Sequence, residues 1–324
     1  MIQQRTRPRS LDYLTGNDVF ELLPDLLTLQ AGRSLRADKA HPLALAAHKE
    51  RMPLVGLRDA AGMTASDFGT ALEDGLSQLL KSSFTPSNGD ALRVTRTIEV
   101  RDFKEVDFPT ISMEEPGEEA EDAHETAPIK MSITEGDRKG KLRTFSGKIR
   151  FARHVWMTWG TELAAAITDY SQSVFPGIER RLLAECLEAA TWTTGTGALS
   201  IAGMETAATA LRDQLNGAGQ KCGLPIAALI VPSKLEMTAR ATRELLGWRD
   251  LGITVLPDLS SDTTWFAVAD PQLSAPVTRL VLQSSPNPRI YLNPRIIEGF
   301  QAAVQHDVDF VAKSGVPGVV EMSP

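Results

Sequence analysis

The chain has 324 residues, 42% apolar and 23% charged, which is enough for a sizeable buried core and excludes a disordered or membrane-embedded composition. A formal net charge of −7 argues against a dedicated nucleic-acid binder, whose affinity would come from neutralising phosphates with Lys and Arg. Its two cysteines, Cys186 and Cys222, are far apart and without CxxC or Cys/His spacing, which argues against a disulfide framework and a structural zinc site.

The N-terminus, MIQQRTRPRSLDYL, lacks the apolar core of a signal peptide, and no later apolar run approaches the roughly 20 residues of a membrane span. A cytoplasmic protein with no membrane partner is expected. Arg5, Arg7 and Arg9 read as a solvated basic terminus. Over the first 60 or so residues the apolar stretches are short, such as 19–27, and broken by Pro24, Pro42 and Pro53. An extended arm with one or two short helices is expected there.

Phe68, Leu72, Leu76 and Leu79 then recur every three or four residues and predict a helix over 66–81, capped by Ser66 or Asp67. After a turn at Pro86, Asn88 and Gly89, Val94, Ile98 and Val100 alternate with polar residues, as do Phe145, Gly147, Ile149 and Phe151 further on. Between these two ribbons lies a segment with no apolar core of its own. Its centre, 113–127, carries Glu114, Glu115, Glu118, Glu119, Glu121, Asp122 and Glu125 and no Lys or Arg. Its return arm carries Lys130, Arg138, Lys139, Lys141, Arg143 and Lys148. A loop this long inside a compact domain is rare and usually functional, and an extended hairpin reaching a neighbouring subunit explains it best.

A helix is predicted after Trp159, with Thr161 as cap, to be kinked or restarted at Pro176-Gly177. Ile178, Leu182, Leu183, Cys186, Leu187 and Ala190 form its apolar stripe, and Glu179, Arg180, Arg181, Glu185 and Glu188 are assigned to the other faces. TWTTGTG (191–197) reads as the turn that stops it. A second helix follows over 201–215. The continuous apolar run 224–231 predicts a strand covered on both sides. Ser233 and Glu236 have capping-box spacing at the start of a helix to about Leu246. Short strands are expected over 253–256, 265–269 and 277–282. A last strand would put Phe300, Ala302, Val304, His306, Val308 and Phe310 on one side.

No constellation calls for catalysis, a cofactor or a metal. TTGTGAL (193–199) lacks the Lys-Ser/Thr ending of a phosphate loop and follows a helix instead of a strand. Asp307 and Asp309 fall on the polar side of the last strand and read as a solvated face, with His306 as a core histidine. The other histidines have no metal-ligand company, and no G-x-S-x-G elbow is present. The acidic run lacks the Asp-x-Asp-x-Asp-Gly rhythm of a calcium loop. Trp156 and Trp159 are expected to anchor the long helix on the sheet.

Several strings in order resemble one family. TASDFGTALEDGLSQLL (64–80), VRDFKEVDFP (100–109), EEPGEEAE, LRTFSGKIRFARHVW (142–156), IERRLLAECLEAA (178–190), ALIVPSKLEMTAR (228–240), WFAVADP (265–271) and GFQAAVQHDVDFVAKSG (299–315) are similar to stretches of Mu-like prophage major head subunits. They also resemble the capsid part of protease–capsid fusions. Both groups have the HK97-like fold, an α+β architecture.

The resemblance spans about 64–315 and implies a division of the chain. Residues 1–62 would be an N-terminal arm, 63–95 a helix and lead-in strand, and 96–150 an extended β-hairpin loop over a neighbour. Residues 151–221 with 298–324 would form a peripheral domain with the long spine helix, and 222–297 a mixed α/β axial domain. The implied function is that of a major capsid protein, assembling into hexamers and pentamers that enclose double-stranded phage DNA in the virion. Assembly is expected in the host bacterial cytoplasm. The partners implied are the chain itself, a portal, a scaffold or prohead protease, decoration proteins, and DNA held non-specifically.

On this reading Glu114, Glu115, Glu118, Glu119 and Glu121 are expected to dock on a basic surface of the adjacent subunit, with Lys139, Lys141 and Arg143 as candidates. An encapsulin-like nanocompartment or gene-transfer-particle shell is the alternative with the same fold. A cytosolic α/β enzyme is the remote one.

Overall fold

The computed structural model describes residues 16–30, 41–49, 57, 61, 65–84, 93–107, 110–113, 131–134, 139–152, 161–216, 219–293, 299–313 and 316–324. The chain divides into two compact units: 1–85 with 144–175 and 287–307, and 86–143 with 176–286 and 308–324.

In the first unit, α1 (Gly16–Gln30) packs against α2 (Pro42–Lys49) and α3 (Ala65–Ser83). Val19, Leu22, Leu23, Leu26 and Leu27 of α1 are all buried, spaced i, i+3, i+4, i+7 and i+8, and in α3 Leu72, Leu76, Leu79 and Leu80 are buried. The two helices come close at Gly75, where a Cβ would lie 3.1 Å from both Leu23 Cδ2 and Leu27 Cδ1. Pro24, expected to break the pattern, sits inside α1. It removes one backbone hydrogen bond at about 3 kcal/mol. The four leucines around it, at about 1.5–3 kcal/mol each when buried, outweigh that loss.

The same unit holds β12 (Arg289–Asn293), antiparallel to the first part of β13 (Gly299–Ala312) from Arg289 opposite Gln305 to Asn293 opposite Gln301. β6 (Arg143–Ala152) also pairs with β13. His306 is buried in the core, its ring edge-on to Phe84 and Phe175 with centroids 5.3 Å from each. α4 (Thr161–Asp169) runs into a π-helical turn, Tyr170–Val174, and α5 (Phe175–Ala189) starts directly after it. The predicted interruption takes the form of this π-helical turn: it ends two residues before Pro176, which cannot donate to the turn before it. Trp156 and Trp159 lie outside the described residues.

The second unit is built on a five-stranded sheet in the order β7-β14-β10-β8-β9. Its strands are β7 (Thr193–Thr196), β14 (Val319–Ser323), β10 (Trp265–Ala269), β8 (Ile226–Val231) and β9 (Gly252–Val255). The predicted apolar strand is β8, and it is interior, flanked by β9 in parallel and β10 in antiparallel register. One face, with Leu229, Val231, Trp265, Ala267, Val320 and Met322, forms a single core with Met204, Ala207 and Leu211 of α6 (Ile201–Asp213) and Ala239 of α7 (Glu236–Leu246). Both helices therefore cover the same face.

Two local expectations change. The TTGTG turn is an edge strand, β7, parallel to β14 from Val320 opposite Thr193. Gly195 leaves room for the buried Met322, whose flexible side chain would have to shift for a Cβ 2.5 Å from its Sδ. The Ser233/Glu236 capping box does not form: a 3-10 turn, Ser233–Leu235, comes first and α7 starts at Glu236 without a side-chain cap. Glu236 instead bonds Arg240 one turn on, at 2.8 Å. The C-terminus of α7 closes on Gly247 at φ +68, a left-handed position that favours glycine.

In a further part of the unit, β1 (Arg96–Val100) runs parallel to β11 (Val277–Leu282), which pairs antiparallel with Val308 to Ala312 of β13. All six residues of β11 are buried, including Arg279. Its guanidinium meets Glu179 of α5, a residue 0% exposed, at 2.5 Å. Glu179 therefore does not lie on a solvated face of the helix. Leu182, Leu183 and Leu187, at i+3, i+4 and i+8 from it, share its buried side.

Candidate functional site

The long polar segment springs from β1 and returns to β6, and its arms pair with each other. β2 (Val106–Asp107) lies antiparallel to β5 (Lys139–Gly140), and β3 (Thr110–Met113) to β4 (Met131–Thr134). The hairpin's two ladders are separate and differ by two residues in register, with Val106 opposite Gly140 in one and Met113 opposite Met131 in the other. Below them lies an apolar root of Val100, Leu142, Leu280, Leu282 and Val311, with Ile98 and Val106 packed against it. Where the hairpin leaves the root, Phe103 is exposed, and Lys139 meets Glu105 at 3.8 Å with both side chains in solvent.

Beside the root, Arg143 ties three elements together. Its Nε and one terminal nitrogen donate to Asp309 Oδ1 at 3.0 and 2.8 Å, and the other terminal nitrogen donates to Glu185 Oε2 at 3.3 Å. Glu185 is in turn 3.6 Å from Arg181 on its own helix. An open groove of about 440 Å³ runs here, lined by Lys139, Arg143, Glu185, Cys186, Asp309 and Phe310 among others. Asp309 is thus clasped and half-buried, not solvated. In the first unit Asp307 is buried too, accepting from Thr144 Oγ1 at 2.7 Å, Arg289 at 2.8 Å and Gln305 Nε2 at 3.0 Å. The polar side of β13 is thus partly covered, with Asp307 and Val311 buried and Gln305 and Asp309 half-buried, whereas 304, 306, 308, 310 and 312 on the other side are all buried.

Burial pulls the Arg143 guanidinium down, but hydrogen bonds and charge from Asp309 and Glu185 outweigh it and hold it above its ordinary value. Burial pushes the Asp309 carboxyl up by more than Arg143 and the Phe310 N–H pull it down, and the Glu185 charge adds to the rise. An acid raised in the folded state contributes stability that is complete below its unfolded pKa and lost as pH rises through its folded one. Compared with Asp309→Asn, the native protein should therefore lose stability as pH rises from the ordinary carboxyl value of 3.8 into the weakly acidic range. Denaturant unfolding of both proteins over a pH series checks this; a difference that moves the other way contradicts it.

The structure brings Lys139 and Arg143 to one groove and leaves Lys141 exposed between them. Glu114, Glu115, Glu118, Glu119 and Glu121 lie outside the described residues. Sequence reasoning missed the pairing of Arg143 with Asp309, although the two acids on one strand opposite a basic return arm were the available signal. Among the described residues no group of three or more His, Cys, Asp or Glu is placed to hold a metal, and no helix is long and apolar enough to cross a membrane.

Two solved structures have this arrangement of elements. One is the head of Helicobacter pylori bacteriophage KHP40, with 11% identity, 74% of this chain and 88% of that one covered, and a TM-score of 0.50. The other is a phage-related protein from Bordetella bronchiseptica RB50, with 12% identity, 76% and 95% covered, and a TM-score of 0.50. No curated protein matches the sequence. The family model described as phage capsid protein matches residues 137–314, from the hairpin's return arm to the end of β13. That match covers more than half of the sequence and, with the shared HK97-like architecture, shows that the chain belongs to the phage capsid protein family as a shell-forming major capsid subunit.

Proposed function

We propose that the chain assembles into hexamers and pentamers of itself, which close an icosahedral shell around double-stranded phage DNA, and that it has no catalytic role. The observation that carries this is the family match over 137–314. Many weak, repeated contacts suffice for such a shell, because each subunit is held by several at once. Residues 1–62 serve as the arm, 96–150 as the loop laid over a neighbour, 151–221 with 298–324 as the peripheral domain and 222–297 as the axial domain. Assembly takes place in the host bacterial cytoplasm with a portal and a scaffold or prohead protease. Contact with DNA is non-specific and slight, in line with the net charge of −7.

The contact between neighbours is electrostatic at the hairpin. Glu114, Glu115, Glu118, Glu119 and Glu121 of one subunit face Lys139, Lys141 and Arg143 of the next. Exposure of Lys139 and Lys141 supports this, as does the absence of any Lys or Arg within 113–127. Arg143, held by Asp309 and Glu185 in its own chain, keeps about half of its side chain open (47%). Glu118→Lys with Glu119→Lys should impair assembly, most at low salt, where surface charges are least screened. Normal shells from this variant at low salt would remove the charged hairpin contact from the account. The contents of purified particles decide the biology: DNA fits a virion, and a cargo protein would make the same shell a nanocompartment.

A further inference from the structure

The outer ladder of the hairpin has two unlike faces. Directly opposite residues of an antiparallel pair lie on the same face, and successive ones alternate. The register therefore places Ile111, Ile133, Met113 and Met131 on one face of the ribbon, and Thr110, Thr134, Ser112 and Ser132 on the other. Among the described residues β3 and β4 pair with no third strand. A two-stranded ribbon is at best marginally stable in water, so its apolar face has to be covered before the ribbon can hold anything.

Met113 and Met131 form the last pair of the ladder, next to the acidic stretch. Ile, used at the pair before, is a favoured strand residue; two methionines in its place bring flexibility and a sulfur open to oxidation. An uncharged peroxide is not held off by the seven acids that follow between 114 and 125. It transfers one oxygen atom to the thioether: the O–O bond breaks, the sulfur lone pair forms the S–O bond, and water leaves. Sulfur is oxidised, the peroxide is reduced, and an apolar side chain becomes a polar one. The other described methionines are placed differently. Met204 and Met322 are 0% exposed in the core beneath α6, whereas Met237 is 76% exposed on α7.

We infer that Met113 and Met131 are a modification site: hydrogen peroxide oxidises both to sulfoxides in the unassembled subunit, which makes the apolar face of the ribbon polar and holds the subunit out of the shell. The inference rests on the hairpin being the part laid over a neighbour, and adds an apolar, redox-sensitive part to its charged contact. Enzymatic reduction of the sulfoxides releases the subunit again, so the modification is reversible.

The test treats native protein and Met113→Leu/Met131→Leu, both kept below the assembly threshold, with hydrogen peroxide. Peptide mass spectrometry follows each sulfur, with Met237 as the accessible reference and Met204 and Met322 as the buried ones. Met113 and Met131 should oxidise at a rate close to that of Met237. Light scattering and electron microscopy then read assembly after the peroxide is removed. Oxidised native protein should need about ten-fold or more protein to form shells, while the treated Leu variant assembles as it does untreated. Methionine sulfoxide reductases should restore the native threshold, an arm that needs no variant. Oxidation of Met113 and Met131 as slow as that of Met322 overturns the inference alone, as does an equal shift in native and Leu proteins or no shift in either. No shell from untreated native protein, even with its other head proteins, overturns the shell reading and the inference with it.

Discussion

Arg279→Ala should destabilise the second unit by about 3–5 kcal/mol, a large part of the roughly 5–15 kcal/mol that holds a domain together. The reason is what it leaves behind. Glu179 is fully buried, and removing the guanidinium 2.5 Å away takes a full opposite charge out of its low-dielectric surroundings. The attraction between the two groups is not a net gain of that size, since bringing both out of water costs about as much as the pairing returns. Replacing them together, Glu179→Leu with Arg279→Met, should accordingly be close to neutral or stabilising. Urea unfolding of the three proteins measures this. A single substitution costing less than about 1 kcal/mol, or a double one as harmful as the single, would show that the pair is not desolvated as the packing implies.

The second large effect is on assembly. Asp107 and Lys139 stand opposite each other in the ladder, so a two-residue Asn-Gly turn can join them in place of residues 108–138. The apolar root of Val100, Leu142, Leu280, Leu282 and Val311 stays intact, and so does the Arg143 clasp. The shortened chain should therefore melt close to the native temperature and form no shells. Light scattering and thermal unfolding, read together, separate the two properties. Normal shells from the shortened chain would mean that the hairpin does not hold neighbours; an unfolded product would mean that it belongs to the core of its own subunit.

Much of the fold was legible because its signals are local. The leucine spacing of α3, the continuous run of β8 and the proline restart of α5 each depend on residues within one or two turns of one another. The alternation of β13 was also legible, but only as a period. Which side is covered depends on Thr144, Arg289 and Arg143, which the chain brings in from 18 to 166 positions away. Asp307 and Asp309 were read as solvated for that reason. Glu179 was misplaced although its spacing to Leu182 and Leu183 put it on the apolar stripe, because a carboxylate there makes sense only once Arg279, 100 residues on, is known. A lone arginine inside VTRLVL was the matching signal. β7 was hidden by its composition: Thr and Gly mark turns, and the room Gly195 leaves for Met322 is a tertiary fact.

The hairpin was recognised from what it lacks, an apolar core between two alternating ribbons. The paired arms account for the ribbons, and the charged contact proposed above would give the acids at its centre counter-charges in a neighbouring copy.

Electron microscopy of the purified native protein, imaged at concentrations spanning its assembly threshold, tests the central claim most directly. The account predicts closed shells of uniform size, or rings of six and five copies, with the threshold rising sharply when salt screens the hairpin contact. A chain that stays a monomer at every concentration, with its own head proteins present, would contradict it.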